Sequence, residues 1–543
     1  MDLKQKESLG IGHVDAVVVN DPHLQPPEAS PLPWYKQTEL RKLYFMMVFL
    51  FLGSTTLGYD GSLLNGLQTM QSWQTFFDHP KGSRLGIFGA MPGFGGLFVL
   101  LFAPYIADGL GRKWGTAIGC ILVVFGALLQ SFPVGSGSRR EAMYLVGRFI
   151  MGAGSNISNG TCPLLITEVA HPRHRGKVTT LYNTLWYLGS IIAAWSCLGT
   201  LIHQSGDLQW RLPTGLQCMM PGIQLMAVWF LPESPRWLIS KGKEAEAKKV
   251  LIKYHGNNNE NDEFVRWEFA EISSILRLEK DAAAQSGWME LVRTPGNRKR
   301  CGLIIATAIF SQCSGNGLVS YYLAVILGTI GIKDSITQSY INGGLTIWSG
   351  LVSLTAAFFV DRIGRRALFL FAGVGMLISF SAWTACSAVY AQTQSSSAGI
   401  AVVAMIFVFY GVAGAAWPGL TVSYTVEILP FNIRAKGLTL SFCFTTLSAV
   451  FNQWVNPLGL EQLGWHFYFV YIAVLVIECL VIYFFFVETR GPTLEEISML
   501  FDAKDSAAGV ASLQAQVKVG EAHKREAHEN DQPFRMGKVE PQN

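Results

Sequence analysis

Apolar residues gather in this chain into long runs separated by short polar segments. The first, LYFMMVFLFLGSTTLGY (43–59), carries no charge. A helix needs about 20 residues to cross roughly 30 Å of hydrocarbon. Runs of that length are read at 43–67, 85–107, 115–133, 141–166, 179–202, 213–231, 301–328, 337–360, 367–390, 399–426, 438–459 and 466–487. The pattern predicts an all-α membrane protein with twelve transmembrane helices in two six-helix repeats. The expected organisation is a cytoplasmic tail (1–42), a first bundle (43–231), a cytoplasmic linker with short helices (232–300), a second bundle (301–487) and a cytoplasmic tail (488–543). The linker holds two amphipathic stretches, EAEAKKVLIKYH and WEFAEISSILRLEK. The segment after 500 is poor in apolar bulk and is expected to be disordered.

Composition supports this and excludes other classes. The 543 residues are 50% hydrophobic and 15% charged, against about 25% charged in soluble domains. The N-terminus lacks the basic-then-apolar pattern of a cleaved signal peptide. All nine cysteines fall in or beside apolar runs and read as packing residues. The ten histidines show no metal-ligand spacing, and no G-x-x-x-x-G-K-[ST] segment is present, so neither a metal, a cofactor nor an ATP-driven pump is expected. No nucleophile–base constellation points to an enzyme, and nothing points to nucleic acid.

Basic residues set the orientation. The loops after runs 2, 4, 8 and 10 carry Arg112, Lys113, Arg173, Arg175, Lys177, Arg362, Arg365, Arg366, Arg434 and Lys436. The positive-inside rule then places both termini and the linker in the cytoplasm.

The same loops contain a repeat. DGLGRK (108–113) matches DRIGRR (361–366), EVAHPRHRGK (168–177) matches EILPFNIRAKG (427–437), and PESPRWL (232–238) matches ETRGPTLEE (488–496). The offsets are 253, 259 and 255 residues (from 108 to 361, 168 to 427 and 233 to 488). Two six-helix units in the same orientation place a binding site between them, near the midplane. Each motif joins carboxylates to arginines, whose planar fork grips carboxylates and helix-end carbonyls. Asp108, Arg112, Glu168, Arg175, Glu233, Arg236, Asp361, Arg365, Glu427, Arg434, Glu488 and Arg490 are thus candidates for a cytoplasmic gate locking the two halves.

These motifs, with GYDG (58–61) and GRFIMGAG (147–154), resemble the sugar porter branch of the major facilitator superfamily over 43–500. LYNTLWYLGSIIAAW (181–195), WRLPTGLQ (210–217), FSQCSGNGLVSYY (310–322) and FNQWVNP (451–457) are most similar to fungal transporters of the lactose permease and cellodextrin type. The resemblance implies sugar uptake by alternating access. The protein is expected to act as a monomer in the plasma membrane, with a vacuolar or other organellar membrane as the alternative. A sugar presents hydroxyls and apolar ring faces, so its pocket needs amides and aromatic rings. The candidates are Asn183, Gln312, Asn316, Tyr321, Tyr322, Asn342, Trp417, Tyr424 and Asn452. Small residues replace larger ones at several family pocket positions (Gly317, Val422, Thr445 and Thr446), which suits a disaccharide such as lactose or cellobiose.

Two ionisable groups stand out within the spans, Asp60 and Arg148. Such a group costs about 2.5–3.5 kcal/mol to insert. Counting along each helix puts Asp60 roughly 25 Å from the cytoplasmic entry and Arg148 roughly 10 Å from the outer face. At compatible heights they are expected to form an ion pair. The resemblance implies that this aspartate and arginine couple transport to protons. Passive hexose facilitation and, at lower rank, a membrane sugar sensor remain as alternatives.

Overall fold

The computed structural model describes residues 34–490 and 501, other than 101, 286, 358 and 360–362. Asp361, most of both tails and the segment after 501 thus lie outside the described residues. The chain is helical in twelve long units: α1 (Thr38–Leu67), α2 (Gly82–Leu100), α3 (Arg112–Ser131), α4 (Ser138–Val169), α5 (Arg175–His203), α6a and α6b (Leu208–Leu216, Met219–Val228), α7a and α7b (Pro295–Cys313, Asn316–Thr329), α8 (Ser335–Ala357), α9 (Arg365–Thr393), α10a and α10b (Ser396–Gly414, Trp417–Ile428), α11 (Phe431–Leu463) and α12 (Tyr468–Phe485). The twelve predicted spans are all present. Several begin earlier than the apolar runs: α1 at 38, α7a at 295 and α11 at 431. Helical hydrogen bonding continues past the hydrocarbon, which hydropathy cannot register.

Among the described residues, eight segments are long and apolar enough on their own to cross a membrane. The helices outside them are α4, α6 and α8. α4 carries Arg148, α6 is broken, and α8 is rich in Ser, Thr, Asn and Gln. Arg148 of α4 and Gln338, Ser339, Asn342 and Ser349 of α8 are buried against neighbouring helices.

α1–α6 and α7–α12 pack as two bundles. α3 lies along α4, and α1 along α5 in the first; α9 packs on α10 and α12, and α7a on α11 in the second. The bundles meet along α2 with α11 and α5 with α8. We call the end carrying the repeated arginine motifs the motif end, and the other the far end. The linker helices Glu244–Tyr254 and Glu263–Gln285 sit at the motif end against the first bundle. There His255 bonds the Val169 carbonyl oxygen at 3.1 Å and Glu268 at 2.6 Å, and Asn257 accepts from the Glu39 N–H.

Three spans read as continuous are broken, each with a local cause. α7 breaks at Ser314–Gly315, where Gly315 takes φ +98°, a conformation that costs a side-chain-bearing residue but not glycine. α10 breaks before Trp417–Pro418, where proline cannot donate the helical hydrogen bond. α6 breaks at Gln217–Cys218.

Candidate functional site

Asp60 lies in the last third of α1, two turns before its end at Leu67, buried at 7% exposure. α1 and α5 cross closely there: a Cβ on Gly58 would lie 1.9 Å from the Trp186 carbonyl oxygen. Gly61, which shares the motif, is under no such constraint, since its Cβ would meet only the Trp186 ring at 3.9 Å. The Asp60 carboxyl accepts from Ser155 Oγ at 3.0 Å and from Gln217 Nε2 at 3.0 Å. Both donors are neutral.

Arg148 is not among the donors, so the expected Asp60–Arg148 ion pair is absent. Ser155 stands two turns along α4 from Arg148, a rise of about 10 Å. Asp60 therefore sits nearer the motif end than its place in the sequence suggested. Arg148 is 3% exposed, and its Nε and Nη1 have no hydrogen-bond partner. It lies within electrostatic reach of Asp60 and of Tyr322 across the bundle interface.

The amides and aromatics predicted to line a pocket divide into three groups. One group joins the bundles at the far end. Asn342 accepts from Asn65 Nδ2 at 2.9 Å, and the Leu323 N–H donates to Asn65 Oδ1 at 3.1 Å. The Tyr321 carbonyl oxygen accepts from Gln68 Nε2 at 2.7 Å, and Thr69 bonds Ser339 at 3.0 Å. Trp454 of α11 donates to Ser83 of α2 at 3.0 Å. These contacts close the far end; above them a cavity of about 400 Å³ opens between the bundles.

A second group organises the break in α7. Asn316 donates to the Ser311 carbonyl oxygen at 3.0 Å and accepts from the Gly317 N–H, so its side chain caps the break. Asn452 donates to the Gln312 carbonyl oxygen and accepts from Tyr471 at 2.6 Å. Tyr322 donates to the Gln453 carbonyl oxygen, and its own φ of −137° kinks α7b. The Gln312 amide is half-buried, and its bond to Ser311 is long at 3.4 Å. Gly317 does not leave free space: a Cβ there would lie 2.6 Å from Asn452 Nδ2. The small residue lets Asn452 close on α7, which removes one of the grounds for a roomier pocket.

The third group lies toward the motif end. Tyr424 is fully buried near the motif end, stacked on Phe486 at 5.0 Å and accepting from the Val487 N–H. Trp417 packs edge-on to Phe369. Asn183 is exposed on α5, one turn motif-ward of Tyr187, which bonds Ser353 of α8 at 2.7 Å.

The motif residues form clusters at the motif end. Arg112 pairs with Glu168 at 3.0 Å and Asp108 at 3.1 Å, while Glu233 accepts from the Arg112 and Lys113 N–H groups. Arg365 pairs with Glu427 at 3.2 Å, and Glu488 accepts from the Arg365 and Arg366 N–H groups. Arg434 donates to the Leu429 carbonyl oxygen, and the Arg490 N–H to Glu488. Arg175 heads α5 with an exposed side chain, and Arg236 follows Pro235 in the first turn of a linker helix. Among the described residues, Arg112–Glu168 and Arg365–Glu427 each join helices of one bundle and brace it at the motif end.

Several participants escaped the sequence reading. Ser155 and Gln217 were invisible because the partners of Asp60 come from other helices. Asn65, late in the first apolar run, and Gln68, just after it, were legible as amides. Glu478, within ECLVIYF of the last run, is a third ionisable group in the spans and fully buried.

The residues 46–501 match the family model described as sugar (and other) transporter. The chain is 30% identical over 449 residues to the MFS-type transporter criB of Aspergillus cristatus, covering 82% of this chain and 90% of that protein. It is 27% identical to the sugar transporter STL1 of Saccharomyces cerevisiae, covering 84% and 81%. The inward-open conformation of the xylose transporter XylE from E. coli superposes with a TM-score of 0.69 at 22% identity, covering 84% of this chain and 99% of that one. With its twelve helices in two bundles and its paired arginine motifs, this chain belongs to the sugar transporter family of the major facilitator superfamily.

Proposed function

We propose that this protein is a proton-coupled sugar symporter working by alternating access, with Asp60 as the coupling acid and Arg148 as its intermittent partner. The observation that carries the proposal is the state of these two groups when the far end is closed. Asp60 is held by neutral donors, and Arg148 is buried without a hydrogen-bond partner at Nε and Nη1. A protonated Asp60 is satisfied by Ser155 and Gln217 and leaves Arg148 free; an ionised Asp60 attracts it. Proton loss toward the motif end then returns the charge pair and favours reopening of the far end. Buried charges are costly unless paired, so the proton acts on the balance of conformations. A related solved structure is described as a proton:xylose symporter.

The motif end faces the cytoplasm in this proposal, following the basic loops, and the protein sits in the plasma membrane with both termini inside. Sugar meets Gln312, Tyr321 and Asn183 between the bundles. Asn316, Asn452 and Tyr322 shape that site by fixing the break in α7, and Asn342 closes it. The substrate is a disaccharide of the lactose or cellobiose class, favoured by Val422, Thr445 and Thr446 in place of bulkier residues.

Purified protein in proteoliposomes with an imposed pH gradient tests this. Asp60→Asn should retain sugar exchange and lose accumulation against a gradient. Accumulation by the variant, or sugar entry into wild-type vesicles without proton entry, sinks the coupling role in favour of passive facilitation.

A further inference from the structure

Glu478 has no part in the mechanism above, and its surroundings are unusual for a carboxyl group. It lies within α12 with no exposed surface. One oxygen, Oε2, lies 2.5 Å from Ser314 Oγ. The other, Oε1, is buried and has no hydrogen-bond partner. Its neighbours on the packed elements are the Cys313 thiol of α7a, the Cys479 thiol of α12 and Gly373 of α9, whose Cβ, if present, would lie 3.7 Å from Oε1. No Arg, Lys or His pairs with it among the described residues.

The hydroxyl of Ser314 decides the proton count. Ser314 Oγ is in close contact with both the Phe310 carbonyl oxygen and Glu478 Oε2. A hydroxyl has one proton to donate. If Ser314 gives it to Phe310, the usual back-bond four residues up a helix, then the second contact needs a proton from Glu478. A carboxylic acid provides it; a carboxylate would face a second acceptor. A neutral acid also avoids a buried charge with no counter-ion.

The position matters as much as the proton. Ser314 and Gly315 are the break in α7, and α7b beyond it carries Tyr321, Tyr322 and Leu323, which contact or face the first bundle at the far end. We propose that Glu478 and Ser314 form a second proton-binding site, in the second bundle, whose occupancy sets the hinge of α7. With the proton in place, Glu478 donates to Ser314 and holds the break. When the hinge shifts and water reaches the carboxyl, its O–H bond breaks, the proton passes to that water, and a carboxylate remains. The site is independent of the role given to Asp60.

Infrared spectroscopy of the full-length protein in lipid nanodiscs tests this without any sugar, so failure of the transport assignment leaves it standing. Working in the Asp60→Asn background removes that carboxyl from the spectrum. A protonated-carboxyl C=O band at neutral pH should vanish in Glu478→Gln and move in Ser314→Ala. Hydrogen–deuterium exchange over 313–322, corrected for base catalysis, should rise several-fold as alkali removes the band, and stay flat in Glu478→Gln. The proposal is overturned by a spectrum without that band, by a band that survives Glu478→Gln, or by an identical exchange profile in both proteins. Ser314→Ala provides the second reading should Glu478→Gln fail to fold.

Discussion

Asp60 sits in α1 at a point where the helix can come within backbone contact of α5. That contact depends on Gly58 and not on Gly61, although both flank the acid. An added Cβ at 58 meets backbone of Trp186, which cannot move aside as a side chain would. Gly58→Ala should therefore cost about 1–3 kcal/mol, the usual cost of overpacking, and lower the thermal unfolding midpoint of the purified protein. Gly61→Ala should leave it within experimental error. Equal effects of the two would mean that the crossing does not depend on glycine. The same local view explains Gln217: its amide supplies Asp60 with one of two hydrogen bonds. Gln217→Leu leaves a buried acceptor short of a donor, a loss of roughly 1–3 kcal/mol. The pH profile of sugar exchange should then shift, and the same substitution placed in Asp60→Asn, which retains exchange, should leave that profile unchanged.

The loop between α4 and α5 shows how an element outside the membrane is attached. His171 stacks on Phe264 of the linker helix at 4.8 Å. Burial, aided by the nearby His255, His174, Arg173 and Arg175, holds its imidazole down to about 3. The sign follows from linkage. A histidine whose pKa is lower in the docked form than the ordinary 6.5 favours docking fully above pH 6.5, and loses that contribution as pH falls toward 3. Hydrogen–deuterium exchange over 263–277, corrected for the slower base-catalysed exchange at lower pH, should show falling protection on moving from about pH 7.5 to 5, and His171→Gln should flatten the response. An unchanged profile in the variant would place the sensitivity elsewhere. Beneath this loop, Arg112 and Glu168 brace α3 against α4 within one bundle, as Arg365 and Glu427 do in the other. Each bundle can thus tilt as a unit with its motif-end pairs intact.

For the whole molecule, what matters is the balance between far-end closure and opening. Closure is made by a few polar contacts across the bundles, with Asn65 serving two of them, to Asn342 and to the Leu323 N–H. Each net hydrogen bond contributes about 0.5–1.5 kcal/mol, so Asn65→Ala should move the equilibrium toward far-end opening by roughly 5- to 150-fold. Distances between spin labels on α1 and α8 at the far end measure this directly. A distribution identical to wild type would show that the seal is made elsewhere.

Much of this protein is written along the chain. Twelve apolar runs determine twelve helices, because helix length and hydrocarbon thickness are local matters. The repeated D-x-x-G-R-[KR] and carboxylate–arginine motifs determine the two equivalent bundles, because they recur at near-constant spacing. The family followed from the same residues. The tertiary structure alone decided the partners. Asp60 and Arg148 share compatible depths on paper, yet the packing of α1 on α4 brings Asp60 to Ser155 and not to Arg148. The motif arginines read as clamps between halves; packing within each bundle pairs Arg112 with Glu168 and Arg365 with Glu427. Gly317 reads as vacant space, and Asn452 of another helix fills it. Sequence spacing measures position along one helix; a hydrogen bond depends on which face of another helix arrives there, and packing sets that.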